Sequence, residues 1–229
     1  PGNQARAPQA AGLQGGANPP ATSISPPQLA GHNPDEAFGY QYNPELAAQL
    51  LAEAGYPGGA GFPQFDVYYW SLSNAQLTMQ ALQAMWASNL GINVTLNPLE
   101  PAAMREYRIS RNDQPFQMYY GLNWAGIQDP NQFHNELFDP NNSLKRSRFA
   151  DPDYVALIRS AAVETDPAVR AEMYQQAEAV INFEVPIISL VYEAQTWLVR
   201  PYVQNFDKIT TPVGLMFRYA QPPGLQIVR

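Results

Sequence analysis

The stretch YYGLNWAGIQDPNQF, residues 119–133, gathers side chains suited to holding a small molecule. The faces of Tyr119, Tyr120 and Trp124 can stack on a ring, a sugar or a cation, and Asp129 could face an amine. Small residues and an Asp-Pro step surround them, a turn chemistry that a plain core strand does not need. Trp70 stands in a similar place, at the end of the aromatic run QFDVYYWSL. The candidate ligand-binding residues are therefore Trp124, Asn123, Asp129, Ile127, Gln128, Tyr120, Trp70 and Asn74. Core packing competes with binding for each aromatic. It is favoured for Trp86, which lies in mid-helix beside Met85, whereas Trp70 and Trp124 stand evenly between core and cleft. For Asp129 the favoured reading is a helix cap, which can still border a cleft.

Other chemistry is mostly excluded. The net charge of −7 does not suit a nucleic-acid surface, and LKRSRF (144–149) reads as a short charged loop. There is no Cys, so thiol catalysis, disulfides and thiolate zinc sites are absent. His32 and His134 are the only histidines, too few for a His-rich metal site. No GxGxxG, GxxxxGK, HExxH or GxSxG pattern occurs. A pair of carboxylates distant in sequence could still serve a hydrolase, but the reading is of a protein that is not an enzyme and carries no cofactor or metal.

The elements that would position these residues follow from periodicity and caps. Asn43 and Pro44 open a helix that Gly55 ends. QFDVYYWSL is a strand, AQLTMQALQAMWASNLG a helix with Leu82, Met85 and Trp86 on one face, and INVTLNPL a strand. PAAMREYRIS is a short helix and FQMYYGL a third strand. Two helices follow, each opened by an Asp-Pro. The first buries Tyr154, Leu157, Ile158, Ala161 and Ala162, and the second Met173, Ala177, Val180 and Ile181. VPIISLVYEAQTWLV reads as a buried strand. The alternation predicts an α/β fold, helices covering a sheet.

The two ends differ from this middle. Residues 1–35 are rich in Pro, Gly, Ala, Gln and Asn and cannot build a core alone. TPVGLMFRYAQPPG has only a short apolar run and is expected to cross to another domain, since little in this chain would pair with it. No apolar run reaches transmembrane length and no signal peptide is visible. The chain starts at Pro1 and is read as a piece of a longer protein.

The order of these features resembles family 5 extracellular solute-binding proteins, the oligopeptide, dipeptide and nickel-type receptors of ABC importers. YNPELAAQLLAEAGYPGGAGFPQF is similar to the segment that opens their second lobe. ALQAMWASNLGINVTL is similar to the next helix and strand, NWAGIQDPNQF to their Trp-to-Asp-Pro cleft loop, and the run from Phe149 to Tyr192 to their closing helices and strand. PPATSISPP resembles the crossing segment before the second lobe. The likeness covers roughly residues 17–210.

The resemblance implies a periplasmic-binding-protein type II lobe, a mixed sheet flanked by helices, without its N-terminal lobe. Residues 1–35 would be a crossing segment or linker, 36–204 the C-terminal ligand-binding lobe, and 205–229 a return segment toward the other lobe. It implies an extracytoplasmic receptor that closes on a peptide-like or other polar solute and passes it to the transmembrane subunits of an ABC permease. A membrane would be met only through a lipid anchor on the absent N-terminus. In the family's peptide receptors an Asp three residues after the cleft Trp pairs with the peptide amino terminus. That position here is Ile127, which offers no countercharge, and the loop is one residue shorter. An oligosaccharide receptor and a signalling receptor that feeds no transporter are the rival readings.

Overall fold

The computed structural model describes residues 18–27, 29–33, 42–71, 73–109, 118–121, 129–142, 147, 149–192, 198, 200–204, 210–211, 214–215 and 226–227. The chain forms two compact units, one of Pro1–Pro20 and Gln41–Leu122, the other of Ala21–Tyr40 and Asn123–Arg229.

The first unit is the α/β part. Helix α1 (Pro44–Glu53) starts where the sequence places it: Asn43 caps it by accepting the Leu46 N–H at 2.8 Å. Strands β1 (Phe65–Trp70), β2 (Val94–Leu99) and β3 (Met118–Tyr120) form a sheet in the order β2-β1-β3, all parallel. Helix α2 (Ser73–Leu90) joins β1 to β2, and α3 (Pro101–Ile109) lies between β2 and β3. Side chains alternate across a strand, so Val67 and Tyr69 turn to one face. There they pack with Ala75 and Met79 of α2 and with Val94, while Leu82 and Trp86 pack against the edge of this cluster. Trp86 is thus a core residue, as its mid-helix position predicts.

Helix α2 stops at Gly91, whose φ of +68° lies in the left-handed region that a side chain disfavours. A Cβ there would also strike the Gly58 carbonyl, so the turn after α1 and the end of α2 approach each other only because neither carries a side chain.

The second unit contains three helices among its described residues: α4 (Pro130–Phe138), α5 (Pro152–Val163) and α6 (Pro167–Glu184). Each begins with Asp-Pro, and Asp129, Asp151 and Asp166 each accept at least one first-turn N–H. The core joins Phe133, Leu137, Phe138, Tyr154, Val155, Ile158, Ala177 and Ile181 to Ile24 and Leu29 from the Pro-rich segment. That segment, unable to build a core alone, completes this one.

Three expectations need correction. The inward face of α6 is Tyr174, Ala177, Glu178 and Ile181, with Val180 partly buried against the same core and Met173 outside it. The helix is turned so that a carboxylate faces inward. VPIISLVY is not a buried strand among its described residues: Val185 and Ile188 are exposed. The chain leaves α6 through Val185 at φ 52°, and at an isolated bridge the Leu190 carbonyl accepts the Ala21 N–H at 3.1 Å. Finally, Gly214–Leu215 finds a partner within the chain, the antiparallel Thr210–Thr211; Val203–Gln204 likewise pairs with Gln226–Ile227.

Gly91→Ala is expected to lower stability by about 1–3 kcal/mol, from the left-handed φ and the lost approach to Gly58. Urea denaturation of the variant against the parent measures it.

Candidate functional site

The connections from β1 to β2 and from β2 to β3 step in opposite directions across the sheet. Right-handed crossovers therefore carry α2 and α3 to opposite faces. In keeping with this, α2 packs on the Val67 and Tyr69 face, whereas the fully buried Met104 of α3 lies outside that cluster. In a parallel sheet ordered β2-β1-β3 the topological switch point, where open α/β sheets bind their ligands, lies at the carboxyl ends of β1 and β3.

Two short turns meet beyond the carboxyl ends of β1 and β2. The Ser71 N–H donates to the Leu99 carbonyl at 3.0 Å, extending the β1–β2 pairing by one step. The Ser71 hydroxyl donates to Glu100 Oε1 at 2.9 Å, and the Glu100 carbonyl accepts the Met104 N–H at 2.9 Å in the first turn of α3. Both Ser71 and Glu100 are exposed. Sequence reasoning passed over this pair. Its signal was a carboxylate between a strand and a Pro-initiated helix, in NPLEP.

The sequence candidates fall in different places. Trp70 ends the central strand, half-buried, on the face opposite Val67 and Tyr69. Tyr120 pairs with Tyr69 and packs against the α2-side cluster. Asn74 is exposed in the first turn of α2, where its carbonyl accepts the Thr78 hydroxyl at 2.9 Å. Asp129, in the second unit, caps α4 by accepting the Asn131 N–H at 2.8 Å and receives Arg170 on both oxygens at 2.8 and 2.9 Å. Those hydrogen bonds raise Arg170 above its ordinary pKa. The cap reading of Asp129 holds, and its charge is already engaged. Asn123, Trp124, Ile127 and Gln128 lie outside the described residues.

The second unit buries a polar network. Glu178, fully buried, accepts the Ile24 N–H at 3.1 Å and the Ser25 N–H at 3.0 Å. His134 Nε2 lies 3.5 Å from Glu178 Oε1, Nδ1 lies 2.7 Å from the Tyr154 hydroxyl, and the ring stacks on Tyr174 at 5.3 Å. Burial raises the Tyr154 pKa far above its ordinary value, so its hydroxyl keeps its proton. Burial alone would raise Glu178, but His134 and the Ser25 and Ile24 N–H groups outweigh it and hold the group below the usual carboxylate range.

The same segment is fastened twice more. The Tyr192 hydroxyl accepts the Ser23 N–H at 3.1 Å and donates to the Ser23 carbonyl at 3.0 Å, and Asn182 donates to the Thr22 carbonyl at 3.1 Å. Among the described residues no group of three or more His, Asp or Glu side chains could hold a metal, and no helix is long and apolar enough to cross a membrane.

Comparison with known proteins agrees with this architecture. The model of bacterial extracellular solute-binding proteins, family 5 Middle, matches residues 9–145. The chain belongs to this family. A probable deoxycholate-binding periplasmic protein of Escherichia coli K12 is 31% identical, over 83% of this chain and 36% of its own length. A di/tripeptide-binding protein of Pseudomonas aeruginosa is also 31% identical, again over 83% of this chain and 36% of its own. The murein tripeptide binding protein of Escherichia coli shares the fold with a TM-score of 0.76 at 23% identity, over 97% of this chain and 42% of that one. The fold is thus of the periplasmic-binding-protein type II class, and the chain spans about a third of the length of these two curated relatives.

Glu178→Gln is expected to cost about 2–3 kcal/mol at neutral pH, as hydrogen bonds to a buried charge are lost. The folded-state pKa of Glu178 is lowered, so its contribution is complete above the unfolded value near 4.5 and drains away as pH falls through the lower folded value. Urea midpoints between pH 7 and pH 3 should therefore fall less steeply in the variant than in the parent.

Proposed function

We propose that this chain is the C-terminal lobe of an extracytoplasmic substrate-binding protein of an ABC importer. The full protein closes two lobes on a peptide-like or other polar solute and delivers it to the permease in the membrane. Residues 36–204 act as the ligand-binding lobe, and 1–35 and 205–229 as crossing segments. The observation that carries this is family membership through residues 9–145, which span the parallel sheet and its open carboxyl edge.

The relatives' names support the class of protein and the compartment. They name binding proteins for di- and tripeptides and for dipeptides and a periplasmic binding protein for oligopeptides, and none of these is named as an enzyme. The probable deoxycholate-binding relative widens the range of solutes that such a frame accepts. A sheet edge with aromatics and short turns suits holding a solute. Closure of two lobes by hinge motion supplies capture and release. The candidate ligand-binding residues are Trp70, Asn74 and Tyr120 in the first unit and Asn123, Trp124, Ile127, Gln128 and Asp129 in the second.

Native mass spectrometry of the gently purified full-length receptor, followed by denaturation, tests this reading. A released peptide or other small polar solute, unchanged after prolonged incubation with the protein, is expected. Conversion of the solute to a product would overturn it.

A further inference from the structure

The chain leaves α6 through an apolar face that stays open to solvent. Phe183, in the last turn, is 71% exposed, Val185 41% and Ile188 38%, whereas Ile187 packs against the core. Val185 sets this face apart from scattered surface side chains. It stands just past the end of α6 at φ 52°, in the left-handed conformation that helix ends ordinarily give to glycine. It is β-branched, and Pro186 after it restricts its backbone further. A valine held in this way is strained, and such strain persists where contacts of the side chain offset it. With Val185 exposed, no such offset is found within the chain.

Resting on the receptor reading, we propose that the face formed by Phe183, Val185 and Ile188 is a contact surface for the receptor's other lobe, which lies outside this chain. Place, length and composition argue for that occupant. The face adjoins the first crossing segment: Asn182, next to Phe183, donates to the Thr22 carbonyl at 3.1 Å, and the Leu190 carbonyl accepts the Ala21 N–H at 3.1 Å. The lobe to which the crossings lead is therefore the partner nearest to it. The chain spans 36% of the length of two curated relatives, so proteins of this kind have a further lobe to place there. The run FEVPIISL carries one charge, Glu184, which suits a lasting contact between parts of one protein better than a transient encounter.

Thermal unfolding of the purified, monomeric full-length receptor, without permease, tests this through the sign of one substitution. On an open surface Val185→Gly relieves the left-handed conformation and raises the melting temperature by about 1–3 °C, and Phe183→Gln leaves it unchanged. Under a covering lobe both substitutions remove buried apolar contact, and each is expected to lower it by about 2–5 °C. Val163→Gln is the control. Val163 is 78% exposed but ends α5 four residues before α6 begins, at the far end of α6 from Phe183, and no loss is expected there. A rise with Val185→Gly, no loss with Phe183→Gln, or an equal loss with Val163→Gln overturns the proposal. A loss that appears only at concentrations where the receptor dimerises also overturns it and gives the face to a second copy. The receptor reading is judged apart from this, by native mass spectrometry. Release of an unchanged solute together with a rise for Val185→Gly overturns the contact alone, whereas conversion of the solute to a product overturns the reading on which the contact rests.

Discussion

The Glu178 carboxylate is the constraint on which the second unit depends. It sits at a core position of α6, between Tyr174 and Ile181 on the same inward face. A charge so placed is tolerable only if its hydrogen bonds are made inside the protein. The backbone of Ile24 and Ser25 makes two of them and His134 faces the same carboxylate. The arrangement is reciprocal. The described residues of 21–33 form no helix or strand, so their buried N–H and C=O groups have no ladder to join. Glu178, Asn182 and Tyr192 provide the partners that a sheet would otherwise provide. Gly31 lets this segment run close to α6: at φ +86° a side chain is disfavoured, and a Cβ would come within 2.6 Å of Tyr174 Cβ.

The first unit solves a different problem. A parallel sheet needs covering on both faces, and its crossovers supply a helix to each. The cost of this topology is a gap where the two crossovers part. With the order β2-β1-β3 that gap lies at the carboxyl ends of β1 and β3, while the ends of β1 and β2 stay paired through Trp70 and Leu99 and are tied by the turns that carry Ser71 and Glu100. Polar groups collect at such a gap because the strand ends and helix starts leave backbone groups pointing into it.

Much of this was legible in the sequence, for reasons that particular residues make plain. The Asp-Pro starts at Asp129, Asp151 and Asp166 each carry their own mechanism, a side-chain acceptor followed by a residue with no N–H to satisfy, and all three hold. Strands β1 to β3 were visible through their aromatic and β-branched runs. The inward face of α6 was misread because apolarity alone was counted. Glu178 occupies an apolar register, and only the spacing of Tyr174, Ala177 and Ile181 around it hinted that a charge was buried. The Pro-rich start was legible as unable to fold alone, but nothing local says which surface it completes, since its partners lie about 150 residues away. Glu100 escaped notice for the same kind of reason: one carboxylate after one strand has no meaning until the sheet order puts Ser71 beside it.

The most direct test of the central claim, that solute is held at the carboxyl edge of the parallel sheet, is hydrogen exchange of the full-length receptor. It would be read with the co-purified solute bound and again after the solute is removed. The account predicts that binding slows exchange in the turns that follow β1 and β2, around Ser71–Asn74 and Leu99–Met104, and leaves the amino ends of those strands, near Phe65 and Val94, unchanged. Protection confined to the amino ends, or absent from both turns while solute remains bound, would contradict it.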